Sequence, residues 1–255
     1  MAHVLLEITN RVAVISINRP EVYNALNIEL IEELTRAFIT ADENTDIDFV
    51  LFTGEGKGFC AGLDLQWALQ IEHKDVKVLV TNYFNKLSKA IYHCRKPVIC
   101  MLHGAASGAG ASLVLACDII FASEKGTLSF PFLSLGLQPD TGMSYYLKQR
   151  VGYHQSFQWL LECKTLSAKE AYEHKIIQQV FVDDITLKLY AENFIKQLAS
   201  LQPGAGASLK RLLSRSSKEY NLEFALNEEA EQQSLAVKGG MLKKKINEFL
   251  NKKKS

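Results

Sequence analysis

The sequence lacks the marks of several large classes of protein. Its five cysteines show no paired spacing, and no Cys-x-x-Cys pair or His/Cys cluster offers the ligand pattern of a metal site. With 29 basic and 28 acidic residues the formal net charge is only +1, so we expect no nucleic-acid partner. No apolar run is long enough to cross a membrane, and an alternating strand pattern begins at residue 4, where a signal peptide would lie. These absences favour a cytoplasmic protein without a metal.

The order of the predicted elements is that of an α/β protein. Alternating apolar residues predict a β-hairpin of strands 4–8 and 12–17, and an amphipathic helix capped by Asn27 follows. The wholly apolar stretch 49–53 predicts a strand covered on both faces, and a helix is expected at about 76–93. Strands that alternate with helices favour a parallel sheet with right-handed crossovers. No glycine-rich fingerprint opens the first helix, so a doubly wound nucleotide-binding fold is disfavoured.

The rest of the chain becomes increasingly helical towards its end. We predict strands at 97–102, 119–122 and 127–130, and helices at 111–116, 139–152, 153–161, 167–173 and 185–199. The stretch Pro203-Gly204-Ala205-Gly206 is the one shift in composition that resembles a boundary. It predicts a core over residues 1–200 and a helical region over 201–255. That second region is too narrow to hold a core alone and would cover a neighbouring element or a partner subunit.

Residues 100–118 are the stretch around which the chain is organised. An apolar strand runs into a turn with glycines at 104, 108 and 110, and a helix of small residues follows. Glycine and alanine remove side chains that would keep another group away from the backbone, and the unpaired N–H groups at the helix start favour an anion. The anion could be one that forms only in a transition state. The alternative is that small residues simply let the helix pack tightly on the strand, and the turn alone favours this alternative.

Four motifs in the right order resemble the enoyl-CoA hydratase/isomerase (crotonase) superfamily over nearly the whole chain. Residues 17–26 contain Ile-Asn-Arg-Pro and Asn-Ala-Leu, and residues 59–65 are similar to the family's F-x-A-G-x-D-L segment. The glycine turn runs into Ala-Cys-Asp-Ile-Ile-Phe-Ala at 116–122, and Phe-Leu-Asn-Lys-Lys at 249–253 is similar to the family's last motif. The resemblance implies a crotonase-like spiral of ββα turns with a C-terminal helical oligomerisation region, which forms a homotrimer or a dimer of trimers.

The resemblance also implies an acyl-CoA thioester substrate and a role in fatty-acid metabolism. Coenzyme A is part of that substrate, so no separate cofactor is expected. By motif, the backbone N–H groups of Leu63 and Ala109 form an oxyanion hole, which suits a reaction that places charge on the thioester oxygen. The residues that the motifs assign to substrate or coenzyme A binding are Ala61, Gly62, Leu63, Asp64, Leu65, Gly108, Ala109, Phe132, Lys252 and Lys253.

The side chains at three motif positions bear on the reaction. Ser112 and Phe132 stand where hydratases of the family carry two glutamates, and neither can activate a water molecule. Asp140 lies in a Gly-x-x-Pro-Asp-x-Gly stretch that resembles two isomerase branches, which act on 3-enoyl-CoA and on the ring epoxide of phenylacetyl-CoA. In these branches one carboxylate serves as the acid/base. The resemblance therefore implies an acyl-CoA isomerase in which Asp140 takes a proton from C2 and returns it at C4.

Several alternatives stay open at the level of sequence. Asp140 follows a proline and precedes Thr-Gly, which is also typical of a helix N-cap. The 4-chlorobenzoyl-CoA dehalogenases use an aspartate at this place as nucleophile, but they carry a tryptophan where this chain has Phe132 and a histidine where it offers Lys89. The chain could also be an acyl-CoA-binding homologue without catalysis, or a purely structural oligomer.

Overall fold

Two β-sheets form the frame of the protein. A computed structural model describes residues 2–68 and 76–214 of the 255-residue chain. Within these residues the main sheet has six strands, which are β1 (Val4–Thr9), β2 (Val12–Ile17), β3 (Phe49–Gly54), β4 (Val98–Leu102), β6 (Ile119–Ser123) and β9 (Gln179–Phe181). The smaller sheet comprises β5 (Ala105–Ser107), β7 (Thr127–Ser129) and β8 (Thr165–Ser167). Strand order in the main sheet is β1-β2-β3-β4-β6-β9, with β1 antiparallel and all other neighbours parallel.

Helices connect these strands. Their bounds are α1 (Ile28–Glu43), α2 (Leu65–Ala68), α3 (Val76–Leu79), α4 (Asn85–Tyr92), α5 (Ala109–Leu115), α6 (Met143–Leu161), α7 (Ala168–Glu173), α8 (Asp184–Leu198) and α9 (Ala205–Ser214). A π-helical segment, Val80–Phe84, joins α3 to α4. Each helix in the described part of the chain is too short or too polar to span a membrane.

Local sequence accounts for the N-terminal hairpin and the first helix. Asn10 and Arg11 both have positive φ, 51° and 66°, as a two-residue type I′ turn between antiparallel strands requires. Asn27 caps α1, because its side chain accepts a hydrogen bond from the N–H of Leu30 at 3.0 Å. The predicted hairpin and the predicted helix cap are both confirmed.

The chain visits the two sheets alternately, which produces a spiral of ββα turns. Strand β4 leads to β5 and then α5, and β6 leads to β7 and then α6. An isolated bridge between Cys60 and Ala106 adds the segment after β3 to the layer of the smaller sheet, so the preceding turn of the spiral, which begins with β3, follows the same pattern. The predicted α/β fold of the crotonase type is therefore confirmed.

Apolar side chains fill both faces of the main sheet. On one face, α1, α4 and α5 contribute residues such as Leu34, Leu87 and Leu113 to the larger core. On the other face, α8 packs Leu187 and Ile195 against side chains of β2, β3, β4 and β6. Burial on both faces explains why β3 is apolar at every position before its threonine.

Three predicted elements differ from the structure. Residues 105–107 form strand β5 rather than part of a turn, because they pair in parallel with β7. The helix predicted from residue 139 begins at Met143, and the prediction for 76–93 is interrupted by the π-helical segment. Of the predicted helical region 201–255, α9 lies among the described residues and residues 215–255 lie outside them. The division at residue 200 stays a prediction.

Asn24 ties the N-terminal loop to the loop that follows β3. Its side chain is fully buried and donates hydrogen bonds to the carbonyls of Glu55 and Gly58, both at 2.9 Å, and to that of Phe59 at 3.1 Å. The side-chain oxygen accepts from the N–H of Arg19 at 2.8 Å. Asn24 also has a φ of 59°, a left-handed conformation that asparagine tolerates better than most residues. One side chain therefore satisfies four backbone groups.

We expect Asn24→Ala to lower the free energy of unfolding by about 2–4 kcal/mol, because it leaves buried backbone groups without partners. Urea unfolding followed by circular dichroism measures this change. The matched control is Asn18→Ala, which removes an exposed bond to the carbonyl of Ala2 and should cost less than about 1 kcal/mol. Equal effects of the two substitutions would contradict this account of Asn24.

Candidate active site

Two backbone N–H groups predicted to hold an oxyanion come from separate loops. Leu63 follows β3 and forms an isolated bridge with Leu26, in which the N–H of Leu26 donates to Gly62 and the N–H of Asp64 donates to Leu26. The N–H of Leu63 takes no part in that bridge. Ala109 is the first residue of α5, so its N–H has no partner inside the helix. Within the described residues, neither N–H donates a hydrogen bond.

Glycine at position 62 brings the two loops together. Gly62 has a φ of 85°, and a Cβ added there would lie 2.5 Å from the carbonyl oxygen of Ser107 and 3.4 Å from the nitrogen of Ala109. A Cβ on Gly110 would likewise overlap the carbonyl of Cys60. Because neither side chain exists, the backbones of the two loops lie in direct contact. The small residues of the turn thus provide tight packing, and that packing places the Leu63 and Ala109 loops side by side.

Gly108 is the N-cap residue of α5 and has a backbone conformation that few other residues adopt. Its φ of 52° and ψ of −119° lie in a region that favours glycine, and its N–H donates to the carbonyl of Ser129 at 3.0 Å. Ala109 is buried within the larger core. The turn is therefore anchored both to β7 and to the core.

A serine on α5 links the backbone of Asp140 to this turn. The hydroxyl of Ser112, on α5, lies 3.3 Å from the carbonyl oxygens of both Gly108 and Asp140. Ser112 is fully buried, and its side chain links the loop that carries Asp140 to the turn that carries Gly108 and Ala109. The N–H of Met143 also donates to the carbonyl of Asp140, at 2.9 Å.

The alternative in which Asp140 caps a helix is wrong. Helix α6 begins at Met143, its N-cap is Gly142, and no side chain accepts a hydrogen bond there. The carboxyl of Asp140 instead accepts a hydrogen bond from the hydroxyl of Thr141, from Oγ1 to Oδ1 at 2.9 Å. The side chain of Asp140 is therefore not used as a helix cap.

Burial raises the pKa of Asp140 above its ordinary value of 3.8, and the Thr141 hydroxyl lowers it to a smaller extent. No charged side chain within residues 2–68 and 76–214 contributes to the shift. A half-buried carboxyl without a cation beside it is a better base than one in water, which suits proton transfer.

The two positions that hold glutamates in hydratases are neutral and buried here. Ser112 is used in the bonds described above, and Phe132 is 5% exposed. The ring of Phe132 lies near Gly108, where an added Cβ would be 4.0 Å from its Cε1. Of these three motif positions only Asp140 carries a carboxyl group, and its backbone carbonyl lies 3.3 Å from the hydroxyl of Ser112 on α5. The described residues contain no cluster of metal ligands.

The segment assigned to coenzyme A binding is partly exposed. Ala61 is exposed, and its N–H donates to the carbonyl of Tyr23 at 2.9 Å. Asp64 pairs with Arg19 at 3.3 Å and accepts a bond from the N–H of Trp67, so its side chain has a structural role. Leu65 is 57% exposed. Lys252 and Lys253 lie outside the described residues.

Two cavities adjoin the described elements, and the larger lies away from this site. It measures about 580 Å³ and is lined by residues of α8 and of β1, β2, β3 and β4. The smaller cavity, of about 270 Å³, lies between α4 and α6 and includes Ser88, Tyr146 and Gly142, next to the Asp140 turn. Lys89 lines it too, so the residue that replaces the dehalogenase histidine lies on the α6 side of α4.

Sequence reasoning missed several residues that shape the site. Thr141 and Ser88 are 53 residues apart and meet only because α4 packs beside the Asp140 turn. Arg19 donates to the carbonyl of Ala25 and pairs with Asp64, so the first motif braces the second. Arg19 could have been found from the sequence, because it is part of the Ile-Asn-Arg-Pro motif, whereas no motif or periodicity in the sequence singles out Ser88.

Comparison with known proteins places these features in a family context. The family model described as Enoyl-CoA hydratase/isomerase matches residues 7–255. The 1,2-epoxyphenylacetyl-CoA isomerase of Escherichia coli K12 is 32% identical over 257 residues, covering 99% of this chain and 97% of that protein. The solved structure of an enoyl-CoA hydratase from Bacillus anthracis has a TM-score of 0.91 at 26% identity and covers 98% of this chain and 96% of its own. A Thermobifida fusca YX structure in complex with acetoacetyl-CoA has a TM-score of 0.83 at 25% identity, covering 92% and 95%.

The pKa of Asp140 predicts how stability depends on pH. Because burial raises it, the folded state binds this proton more tightly than the unfolded state, and stability falls as pH rises from 3.8 through the folded pKa. We therefore expect Asp140→Asn to be more stable than wild type at pH 7 and to lose this advantage below pH 3.8. Urea unfolding of both proteins over a pH series measures the difference.

Asp48→Asn is the control of opposite sign. Burial alone would raise the pKa of Asp48, but hydrogen bonds from Arg11 and from the N–H of Gly204 lower it overall. This substitution should therefore destabilise the protein at pH 7, and the loss should fade as the pH falls. An Asp140→Asn variant whose stability follows wild type at every pH would contradict the raised pKa.

Proposed function

We propose that this chain is an acyl-CoA isomerase. It belongs to the enoyl-CoA hydratase/isomerase family. Its reaction moves a double bond from the 3-enoyl to the 2-enoyl position. The observation that carries the proposal is the half-buried carboxyl group of Asp140, whose backbone carbonyl is linked through Ser112 to the turn that carries Ala109, with Ser112 and Phe132 at the places of the hydratase glutamates. The Thermobifida structure with acetoacetyl-CoA supports a thioester of coenzyme A as the substrate class.

The proposed mechanism needs one proton carrier. The Asp140 carboxylate takes the proton from C2, and the electron pair of that bond moves into the carbonyl, so the thioester oxygen becomes an enolate oxygen. The N–H groups of Leu63 and Ala109 stabilise this oxygen, and such a donor is worth about 3–4 kcal/mol in enzymes where one was removed. The same proton then returns at C4, and the double bond moves from C3–C4 to C2–C3. No water molecule is consumed.

Hydration fits this site less well. Adding water needs one group to activate the water and another to supply a proton, and a hydroxyl held by two carbonyls cannot replace a carboxylate. Ser112 is held in that way, and Phe132 has no polar atom in its side chain. Dehalogenation is also disfavoured, because Phe132 lacks the N–H that a tryptophan would offer.

A second candidate is isomerisation of a ring epoxide carried on coenzyme A. The observation that favours it is the match to the Escherichia coli 1,2-epoxyphenylacetyl-CoA isomerase over 99% of this chain. The reaction class uses the same lone acid/base, so the two candidates differ in the shape of the acyl group rather than in Asp140. Binding of the coenzyme A phosphates by Lys252 and Lys253, and assembly as a trimer or dimer of trimers, remain parts of this proposal.

Asp140→Asn should lower turnover by about 10²–10⁴-fold, the usual contribution of a positioned acid/base. The assay offers 3-enoyl-CoA, 2-enoyl-CoA and ring-epoxide thioesters and follows double-bond migration, hydration and ring opening separately. Asp46→Asn is the matched control, since this aspartate is exposed and lies outside the site, and it should retain wild-type turnover.

Three outcomes would overturn parts of the proposal. Near-full activity of Asp140→Asn would remove the assignment of Asp140 as acid/base. Hydration without migration would replace isomerase by hydratase. Calorimetric binding of acyl-CoA by a wild-type protein that turns over none of the thioesters would indicate a binding protein without catalysis.

A further inference from the structure

Thr141 has a backbone conformation that is unusual for its type. Its φ is 54°, in the left-handed region, and a β-branched side chain is strained there. The residue is 1% exposed, so solvent does not stabilise this conformation. Strain of this kind persists only where surrounding contacts hold it, and it is concentrated at functional sites.

Helices α4 and α6 supply the contacts that hold the turn. The hydroxyl of Ser88 donates to the carbonyl of Thr141 at 2.9 Å and lies 2.7 Å from the hydroxyl of Tyr146. Gly142 follows with a φ of 88°, and a Cβ there would overlap the ring of Tyr146. The turn is therefore fixed from both sides by buried groups.

The strained conformation directs the Thr141 side chain at the neighbouring carboxyl. Its hydroxyl donates to Oδ1 of Asp140 at 2.9 Å. Within the described residues, Oδ2 of Asp140 accepts no hydrogen bond. One carboxyl oxygen is thus held and the other is left available.

We propose that Thr141 is a positioning residue for the acid/base, whose hydroxyl fixes Oδ1 of Asp140 so that Oδ2 takes and returns the substrate proton. This inference rests on the proposed function and adds a residue to it. Thr141 acts through Asp140 and does not itself touch the reacting carbons.

Electrostatics agree with this role. Burial raises the pKa of Asp140, and the Thr141 hydroxyl is the opposing influence, because it donates to the ionised form. The elements around the turn contribute the neutral hydroxyls of Ser88 and Ser112 and the phenol of Tyr146, whose own pKa burial raises. The other titratable groups that line the adjacent cavity are Lys89, Tyr92, His93 and Tyr145, and none of these shifts the pKa of Asp140. Loss of the Thr141 hydroxyl should therefore raise the pKa of Asp140 further.

The test compares Thr141→Val, which keeps the shape and removes the hydroxyl, with Thr141→Ser, which keeps the hydroxyl. We expect valine to lower kcat about 10- to 100-fold with little change in KM, and to move the acidic limb of the kcat–pH profile upward by about one unit. Serine should restore both properties. Thr53→Val is the matched control, because it removes a buried hydroxyl that bonds to the carbonyl of Met101 on the other side of the sheet.

A measurement without substrate separates this inference from the proposed function. Carbon NMR of protein labelled at its aspartate carboxyls, with the Asp140 signal assigned by Asp140→Asn, follows the titration of that carboxyl directly. A higher Asp140 pKa in Thr141→Val supports the action of the Thr141 hydroxyl on Asp140, whether or not a thioester is turned over. A wild type that turns over no thioester overturns the proposed function and with it the proton transfer by Oδ2, but not the contact between Thr141 and Asp140. An unchanged titration in Thr141→Val overturns the inference. If valine prevents folding, Thr141→Ala replaces it in the same comparison.

Discussion

The contact on which the site depends is the close approach of the Gly62 backbone to the Ser107–Ala109 turn. A side chain at Gly62 would meet a carbonyl oxygen, so the approach is possible only for glycine. It joins the loop that follows β3 to the turn between β5 and α5, and it brings the backbones that carry Leu63 and Ala109 into contact. The ββα spiral makes this contact possible, because parallel neighbours end at the same edge of a sheet.

Asp140 is held between two opposing influences. Burial disfavours its ionised form, and a single hydroxyl favours it, without an ion pair from the described residues. An ion pair would lower the basicity of the carboxyl, whereas full burial without a donor would keep it protonated at neutral pH. The neutral hydroxyl lies between these extremes and would suit the acid/base role that we propose for Asp140.

Differences in chemistry within the family arise here from side chains on a shared frame. The fold is shared with the Bacillus anthracis enoyl-CoA hydratase, and the sequence is similar over nearly its whole length to the Escherichia coli 1,2-epoxyphenylacetyl-CoA isomerase. Ser112 joins the Asp140 loop to α5, so the residue that the motifs match to a hydratase glutamate has a structural role here. The first motif has a similar role, since Asn24 and Arg19 brace the loop that carries Leu63.

The hairpin, the buried strand β3, the cap of α1 and the family were all predictable from the sequence, because they depend on periodicity and on residues close together in the chain. It also singled out Asp140, but it left open whether that side chain caps a helix. Tertiary structure decided this question by starting α6 three residues later and turning the carboxyl towards Thr141. The contacts of Ser88 and Ser112 likewise depend on tertiary packing. Ser88 is 53 residues from Thr141, and Ser112 is 28 residues from Asp140, so only the packing of separate elements brings each hydroxyl to its carbonyl.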